Sequence, residues 1–251
     1  MLRFNAYDRG LQNLKQGLIK MGGTVQSRFA DAMAALILQD AEKAQAIVES
    51  DDVVNDMDYA LEDQALGLIL LQQPREQDLR VLSSTLRLTK ELERIGDYAV
   101  NIAVAALALC DCGDYFKPLC DIRKMGEEAA NMLHGVLQAY LKSDIDLAMS
   151  VAERDDVVDA LFESLFNELL GHMQKGPCYV VQASHLSLVA RHLERISDHA
   201  VNIAEMVFYI ETGERRSFRD LKHTGANGIT KEAQAKEIGV ICCEESRQEQ
   251  K

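Results

Sequence analysis

Proline, tryptophan and basic side chains are all scarce in this chain of 251 residues. It contains three prolines and no tryptophan, and its 27 Lys and Arg are outnumbered by 40 Asp and Glu, which leaves a net charge of −13. That charge repels phosphate backbones and anionic lipid headgroups, so we do not expect nucleic acid among the partners. The low proline content, together with only 15 glycines, favours helix over strand throughout the chain.

Long apolar segments are also absent from the sequence. The N-terminal residues "MLRFNAYDRG" have no apolar core of the length that signal peptides require, and the longest nearly apolar run, at 102–110, is too short to span a bilayer. We therefore expect no membrane insertion. The six cysteines show neither CxxC pairs nor the density of a small secreted scaffold, which predicts reduced thiols in a cytoplasmic protein; they are Cys110, Cys112, Cys120, Cys178, Cys242 and Cys243.

Most of the sequence occurs twice. Residues 92–103 read "LERIGDYAVNIA" and residues 193–204 read "LERISDHAVNIA", while "KMG" recurs at 20 and 124 and "DDVV" recurs at 51 and 155. These matches indicate a tandem duplication. Prolines at 74, 118 and 177 lie at the predicted joints between helices. Each copy is thereby divided into three predicted helices, at 6–39, 41–72 and 76–111 and then at 118–142, 144–174 and 178–212.

The third predicted helix of each copy carries an apolar stripe with alternating steps of four and three residues. Such coiled-coil spacing favours packing at shallow angles against neighbouring helices. We therefore predict an all-α fold, a tandem repeat of two antiparallel three-helix bundles, at 1–112 and 118–216, followed by a polar C-terminal tail at 217–251. The stripes consist of Leu88, Leu92, Ile95, Ala99, Ile102, Ala106 and Leu109, and of Val189, Leu193, Ile196, Ala200, Ile203, Val207 and Ile210.

An oxygen-bearing stripe lies beside each apolar stripe. Acids and amides recur four residues apart on the third helix, and the preceding helix carries a matching set. In an antiparallel pair, residues equally distant from the turn face each other, and Asp51 and Asp97 both lie 23 residues from Pro74. The first set comprises Asp51, Asn55, Asp58, Glu62, Glu93, Asp97 and Asn101, and the second comprises Asp155, Asp159, Glu163, Glu194, Asp198, Asn202 and Glu205.

Two interpretations of these acids are open. Like charges four residues apart on a helix repel by ~0.2–0.5 kcal/mol per pair, so a cation must offset them. Lys90 and Arg94, with their counterparts Arg191 and Arg195, could do so as a solvated surface network. The retention of the acids in both copies instead favours metal binding, because carboxylates suit hard cations such as Mg²⁺, Ca²⁺, Mn²⁺ or ferric iron.

Motifs of several enzyme classes are missing. No glutamate is followed by a histidine three residues later, which excludes the di-iron carboxylate oxidases of the ferritin-like class. Glycoside hydrolysis is disfavoured because the acids lie on long predicted helices in a chain without tryptophan. His199, which replaces Tyr98 of the first copy, is interpreted as a packing residue rather than a ligand. A metal-dependent hydrolase or a metal store that uses the same carboxylates stays open.

The repeated motifs resemble those of the PhoU family, regulators of bacterial phosphate uptake. The resemblance covers residues 5–220 and includes "LERIGDYAVNIA", "LERISDHAVNIAE", "ESDDVVNDMDYALED" and "ERDDVVDALFE". It implies that each acid set holds a multinuclear metal cluster, with iron favoured and Zn, Mn, Mg or Ca as alternatives, and that the protein has no catalysis of its own. Because Phe162 stands where Asp58 does, the number of ligands is expected to differ between the copies.

The same resemblance implies a role and partners. It implies a regulator that restrains phosphate uptake and phosphate-regulon signalling by docking to the ATPase subunit of the phosphate ABC transporter and to a phosphate-sensing histidine kinase. It further implies a cytoplasmic homo-oligomer, a dimer, that reaches the inner membrane only through these partners. An accessory subunit of another phosphate carrier is the alternative within the same class.

Overall fold

Eight α-helices make up the part of the chain that the computed structural model describes, residues 2–72 and 74–218, and no strand occurs there. In each copy two helices of 9 and 21 residues lie between two longer helices, so the predicted all-α tandem repeat is confirmed. The predicted tail lies outside the described residues from position 219 onward. The helices are α1 (Leu2–Leu38), α2 (Ala41–Glu49), α3 (Asp52–Gln72), α4 (Glu76–Cys110), α5 (Cys120–Lys142), α6 (Ile145–Glu153), α7 (Asp155–Lys175) and α8 (Pro177–Thr212).

The prediction for the second helix of each copy is wrong, because the structure divides that helix into two. The predicted helix at 41–72 is α2 followed by α3, and the predicted helix at 144–174 is α6 followed by α7. In both copies a helix of 9 residues precedes one of 21 residues. Asp51 consequently lies in the break before α3 rather than on a continuous helix.

The break in the first copy is stabilised by Arg28 of α1. Its Nη2 donates to the backbone oxygen and to the hydroxyl of Ser50, and its Nη1 donates to the backbone oxygen of Asp51 at 3.4 Å. The last carbonyls of a helix have no intrahelical donor, and this side chain supplies one. Asp40 fixes the other end of α2, because its Oδ1 accepts from the backbone N–H of Lys43 at 3.0 Å.

The two apolar stripes lie in the core, as predicted. Every stripe residue on α4 and α8 is at most 6% exposed, and burial of each such Leu, Ile or Val contributes about 1.5–3 kcal/mol. Within the described residues, α4 packs against α1, α2 and α3 of its own copy, and α8 packs against α5, α6 and α7. The two helices also pack against each other, and residues Met1–Arg216 form a compact unit. The boundaries of the two bundles at 1–112 and 118–216 stay a prediction.

The glycine of each "KMG" motif lies where α1 of the first copy contacts α5 of the second. A Cβ added to Gly22 would lie 2.6 Å from Cδ2 of Leu137 on α5. A Cβ added to Gly126 would meet the terminal methyl of Met33 on α1. The repeated glycines therefore let these two helices approach each other closely.

The segment between the copies is fixed by buried polar groups. The Gln182 amide of α8 donates to the backbone oxygen of Asp114 at 3.0 Å and accepts from the backbone N–H of Phe116 at 3.1 Å. Tyr115 donates its hydroxyl to the backbone oxygen of Leu36 at 2.6 Å, and burial raises the pKa of Tyr115 to about 12. This network anchors the connection on α1 and α8.

Two further expectations concern membranes and thiols. Among residues 2–72 and 74–218, no helix combines the length and the apolar character that crossing a membrane requires. The four cysteines in the described part of the chain, Cys110, Cys112, Cys120 and Cys178, are free thiols. Cys242 and Cys243 lie outside the described residues.

Candidate metal-binding site

The deepest acid of the first set is Asp58 on α3. It is only 1% exposed, and its Oδ2 forms an ion pair with Nζ of Lys90 on α4. The hydrogen bond to Asp58 raises the pKa of Lys90. Glu93 lies one turn further along α4, where burial and then the charge of Asp97 raise the pKa of Glu93, while Arg94 and Lys90 oppose the shift. Burial first, and the neighbouring charge of Asp97 second, therefore disfavour the ionisation of Glu93.

Asp51 and Asp97 come together as their spacing from Pro74 predicts. Burial raises the pKa of Asp97, and the charge of Asp51 raises it further, whereas Arg94 opposes both through an Nη1–Oδ2 ion pair of 3.2 Å. Arg28 is the second cation of this group. Burial lowers its pKa, and the carboxylates of Asp51 and Asp97 counteract the shift. The same arginine thus stabilises the helix break and partly neutralises the acids beside it.

Arginines pair with the corresponding acids of the second set. Nη1 of Arg191 lies 3.3 Å from Oε1 of Glu194, and Nη1 of Arg195 lies 3.2 Å from Oδ2 of Asp198. Nε of Arg195 also lies 3.5 Å from Oε2 of Glu194. Asp155 is buried at the first turn of α7, where the positive end of the helix dipole stabilises a carboxylate. On α4 and on α8, acids of the two predicted sets therefore lie beside arginines of the same helix.

The exchange of Asp58 for Phe162 changes what the neighbouring cation does. In the first repeat Lys90 forms an ion pair with the Asp58 carboxylate. In the second, the guanidinium of Arg191 lies over the Phe162 ring, 4.7 Å from its centroid. A cation over an aromatic face contributes about 0.5–1 kcal/mol at exposed sites, without adding a carboxylate. The second set therefore has one potential ligand fewer at this position.

Asn202 takes part in a contact between the two repeats. Its Nδ2 donates to Oε2 of Glu91 on α4 at 2.9 Å, and Nδ1 of His199 lies 2.6 Å from the same oxygen. Burial would raise the pKa of Glu91, but the hydrogen bonds from His199 and Asn202 outweigh it and lower that pKa. The Tyr98 ring lies 5.6 Å from the rings of His192 and His199. His199 is thus a packing residue, as predicted, with a polar contact that the sequence did not indicate.

The other predicted ligands differ in exposure, and their assignment as ligands stays a prediction. Half-buried positions are Asn55, Glu62 and Glu205, and exposed positions are Asn101, Asp159 and Glu163. Two residues that sequence reasoning missed are Arg28 and Glu91. Neither belongs to a repeated motif, because Met132 and His192 stand at the equivalent positions.

The donor chemistry of these sets fits a hard cation. Oδ1 of the buried Asp58 has no hydrogen bond, whereas Oε2 of Glu93 and Oε2 of Glu194 lie 3.6 and 3.5 Å from Nε of Arg94 and Nε of Arg195. A buried polar atom without a partner costs about 1–3 kcal/mol, which a cation bound beside it would offset. In the described ranges, however, no three His, Cys, Asp or Glu side chains are grouped closely enough to hold one ion together. Lysine and arginine side chains pair with Asp58, Glu93, Asp97, Glu194 and Asp198 in this structure.

The sequence also matches a family model in both copies. The model described as the PhoU domain matches residues 18–106 and again residues 122–207. The chain belongs to the PhoU family. Each of its two PhoU domains includes one copy of the motif that begins "LERI", and each includes one complete acid set.

Relatives and solved structures agree with this assignment. The "Phosphate-specific transport system accessory protein PhoU homolog" of Pseudomonas putida is 34% identical over 232 residues, 92% of this chain and 88% of the relative. The homolog of Caulobacter vibrioides is 38% identical over 209 residues, 83% of this chain and 91% of the relative. The crystal structure of PhoU from Pseudomonas aeruginosa superposes with a TM-score of 0.80 at 34% identity, covering 83% of this chain and 100% of that one.

Proposed function

We propose that this chain is an accessory protein of a phosphate transport system, a regulator of phosphate uptake without catalysis of its own. The extent of the similarity carries this proposal, since a relative with that description matches 92% of the chain and is matched over 88% of its own length. A shared fold alone would support only an analogy. Identity of 34–38% across two complete PhoU domains is stronger support.

We further propose that both acid sets bind metal ions, with iron favoured and Zn, Mn, Mg or Ca as alternatives. The residues that would hold the ions are the carboxylates and amides of the two sets. A bound cation would supply positive charge next to acids whose ionisation is otherwise unfavourable. Two observations support this: Glu93 and Asp97 have raised pKa values because of burial, and Oδ1 of the buried Asp58 lacks a hydrogen-bond donor.

A regulator of this kind acts by docking to other proteins. We propose the ATPase subunit of the phosphate transporter and a phosphate-sensing histidine kinase as its partners, with a cytoplasmic homodimer as the acting form. The surface of α3 supports docking, because Tyr59, Leu66 and Leu70 are 62%, 41% and 82% exposed. Their spacing of seven and four residues puts them along one side of the helix.

Elemental analysis of gently purified protein tests the metal proposal. We expect the native protein to retain metal, and the Asp97→Asn, Asp198→Asn double variant to retain much less. Asp63→Asn, an exposed acid on α3 outside the sets, is the matched control and should retain the native amount. The proposal is wrong if protein incubated with Fe, Mn, Zn, Mg and Ca in turn retains none of them, or if the double variant retains as much as the control.

The pH dependence of stability gives a second measurement of the same site. The pKa values of Glu93 and Asp97 are raised in the folded state. Their contribution to stability is therefore fully present below the unfolded pKa of about 4 and is lost as pH rises through the folded value. A bound cation would restore that loss, so metal should raise the Tm more at pH 7 than at pH 5. An equal rise at both values would contradict metal binding by these acids.

A pull-down from cytosol and membranes tests the role. We expect the native chain to recover the transporter ATPase or the kinase and to repress phosphate-starvation genes in cells. The Glu93→Ala, Asp97→Ala, Glu194→Ala, Asp198→Ala variant should recover less of both and should derepress those genes. If this variant binds and represses normally while a hydrolytic activity of the native protein disappears, the metal-dependent hydrolase is the correct alternative.

A further inference from the structure

A cationic groove lies in the first repeat, between α1 and the segment from α2 to the start of α3. Its volume is about 680 Å³, and its polar lining includes Lys20, Thr24, Ser27, Arg28, Asp31 and Lys43. Three cations and one acid give these lining side chains a charge of +2, within a chain whose net charge is −13, and the Asp51 and Asp97 carboxylates lie behind them, beside Arg28. Such a local reversal of charge attracts anions to one place on a protein that otherwise repels them.

The cations of the groove differ in how firmly they are held. Arg28 is only 8% exposed, and three of its N–H groups donate to Ser50 and Asp51. A guanidinium has five N–H donors, so two are left for a ligand on a side chain that is already fixed. Lys43 lies 3.2 Å from Oδ1 of Asp31. Lys20 is exposed, and its ammonium forms no ion pair within the described part of the chain.

The second repeat lacks counterparts of two of these cations, Arg28 and Lys43. The two copies align with an offset of 104 residues over this region. Met132 stands where Arg28 does, and Leu147 stands where Lys43 does. Glu128 stands where Thr24 does, and its Oε2 accepts a hydrogen bond from Nη2 of Arg154 at 2.6 Å. The second copy thus keeps a corresponding series of helices without counterparts of Arg28 and Lys43, while Lys124 retains the cation at the position of Lys20. Because Arg28 also stabilises the helix break, Lys43 is the cation whose presence points to a ligand rather than to folding.

We propose that this groove binds a small anion that carries two or more phosphoryl groups. Its volume falls within the range of about 300–1,000 Å³ that is typical of small-molecule sites. Lys20 and Arg28 are eight residues apart, or about 12 Å along α1, which exceeds the reach of a single phosphate. Phosphoryl oxygens accept charge-assisted hydrogen bonds from Arg and Lys and a further bond from a hydroxyl such as that of Ser27.

The groove recognises the phosphoryl groups rather than an attached base. Among the described residues of its lining none is aromatic, and its apolar part consists of Ala46, Ile47 and Val53. A nucleobase would find no ring to stack on. Pyrophosphate, tripolyphosphate and ADP should therefore bind with similar affinity, and inorganic phosphate should bind more weakly because it engages fewer cations.

Isothermal titration calorimetry on the full chain tests this proposal. The protein is first stripped of metal, so that pyrophosphate cannot bind through ions at the acid sets. We expect one site per chain for pyrophosphate, with an affinity that falls as salt is added. The Lys20→Gln, Lys43→Gln variant, which leaves Arg28 and the helix break intact, should bind at least tenfold more weakly. Lys124→Gln, the exposed counterpart of Lys20 in the second repeat, is the matched control and should bind like the native chain.

Three results would overturn the proposal. The first is no binding of pyrophosphate to the native chain at millimolar concentration. The second is equal loss of affinity in the double variant and in the Lys124→Gln control, which would indicate general electrostatics. The third is sulfate binding as tightly as pyrophosphate, since that would reduce the groove to a region that attracts any anion. Circular dichroism of both variants checks that the helical fold is retained.

Discussion

Two adjacent glycines on α1 give opposite predictions for the same substitution. Gly22 lies against Leu137 of α5, where a Cβ would come within 2.6 Å of Cδ2 and 2.8 Å of Cδ1. Gly23 is exposed, and a Cβ added there would have no neighbouring atom within 4 Å. Replacement of each glycine by alanine changes helix propensity by the same amount at both positions. Any difference in stability between the two variants therefore measures packing between the repeats.

The expected magnitudes follow from these contacts. Alanine in a helix interior is about 0.8–1.0 kcal/mol more favourable than glycine. Gly23→Ala should gain nearly all of this free energy, since nothing opposes it. Gly22→Ala should gain the same amount but lose about 1–3 kcal/mol through overpacking against Leu137. The two variants should thus differ by about 1–3 kcal/mol, with Gly23→Ala the more stable.

Urea unfolding followed by far-UV circular dichroism measures this difference. For a chain of this size 1 kcal/mol corresponds to about 2–4 °C in Tm, so thermal unfolding should show the same order. Gly126→Ala should cost less than Gly22→Ala, because the atom in its way is the terminal methyl of Met33, which can move. If Gly22→Ala stabilises the chain as much as Gly23→Ala does, close packing of α1 on α5 is not the reason for the repeated glycine.

Two further predictions concern buried polar groups. Lys90→Met should destabilise the chain by about 1–3 kcal/mol, because it leaves the buried Asp58 carboxylate without its cation. In urea unfolding, the double variant that also carries Asp58→Asn should recover most of that loss. No recovery would contradict the ion pair. Burial raises the pKa of Tyr115 and of Tyr140 to about 12, so stability from this source is fully present below the unfolded pKa of about 10 and is lost as pH rises toward 12. Near pH 11 both tyrosines should therefore still be protonated in the folded chain. Ultraviolet titration at that pH should count as many tyrosinates in Tyr115→Phe or Tyr140→Phe as in the native protein. A lower count in a variant would show that the replaced hydroxyl ionises normally.

Helix type and the core could be predicted from spacing because both depend on the chain's own periodicity. The stripes on α4 and α8 repeat at coiled-coil intervals, and all of their residues are buried. The facing of Asp51 and Asp97 could also be predicted, since the rise per residue is the same on both sides of Pro74. The helix breaks were missed, although Ser50 and Asp51 are residue types that favour helix starts. What fixes the first break is Arg28, a side chain from another helix that no local pattern reveals.

The contacts between the repeats could not be predicted by comparing the copies, because the copies meet at their own equivalent positions. His199 is the counterpart of Tyr98, and the two rings lie 5.6 Å apart. If both copies kept the same residue at such a position, two identical side chains would contact each other. Divergence there produces a pair of different rings. The same contact gives the two retained asparagines different surroundings. Asn202 donates to Glu91. The counterpart of Glu91 in the second copy is His192, so Asn101 does not have the same carboxylate to donate to. Retention of a residue in both copies therefore indicates a shared role only away from this contact, and Asn202 is the member of the acid sets that lies in it.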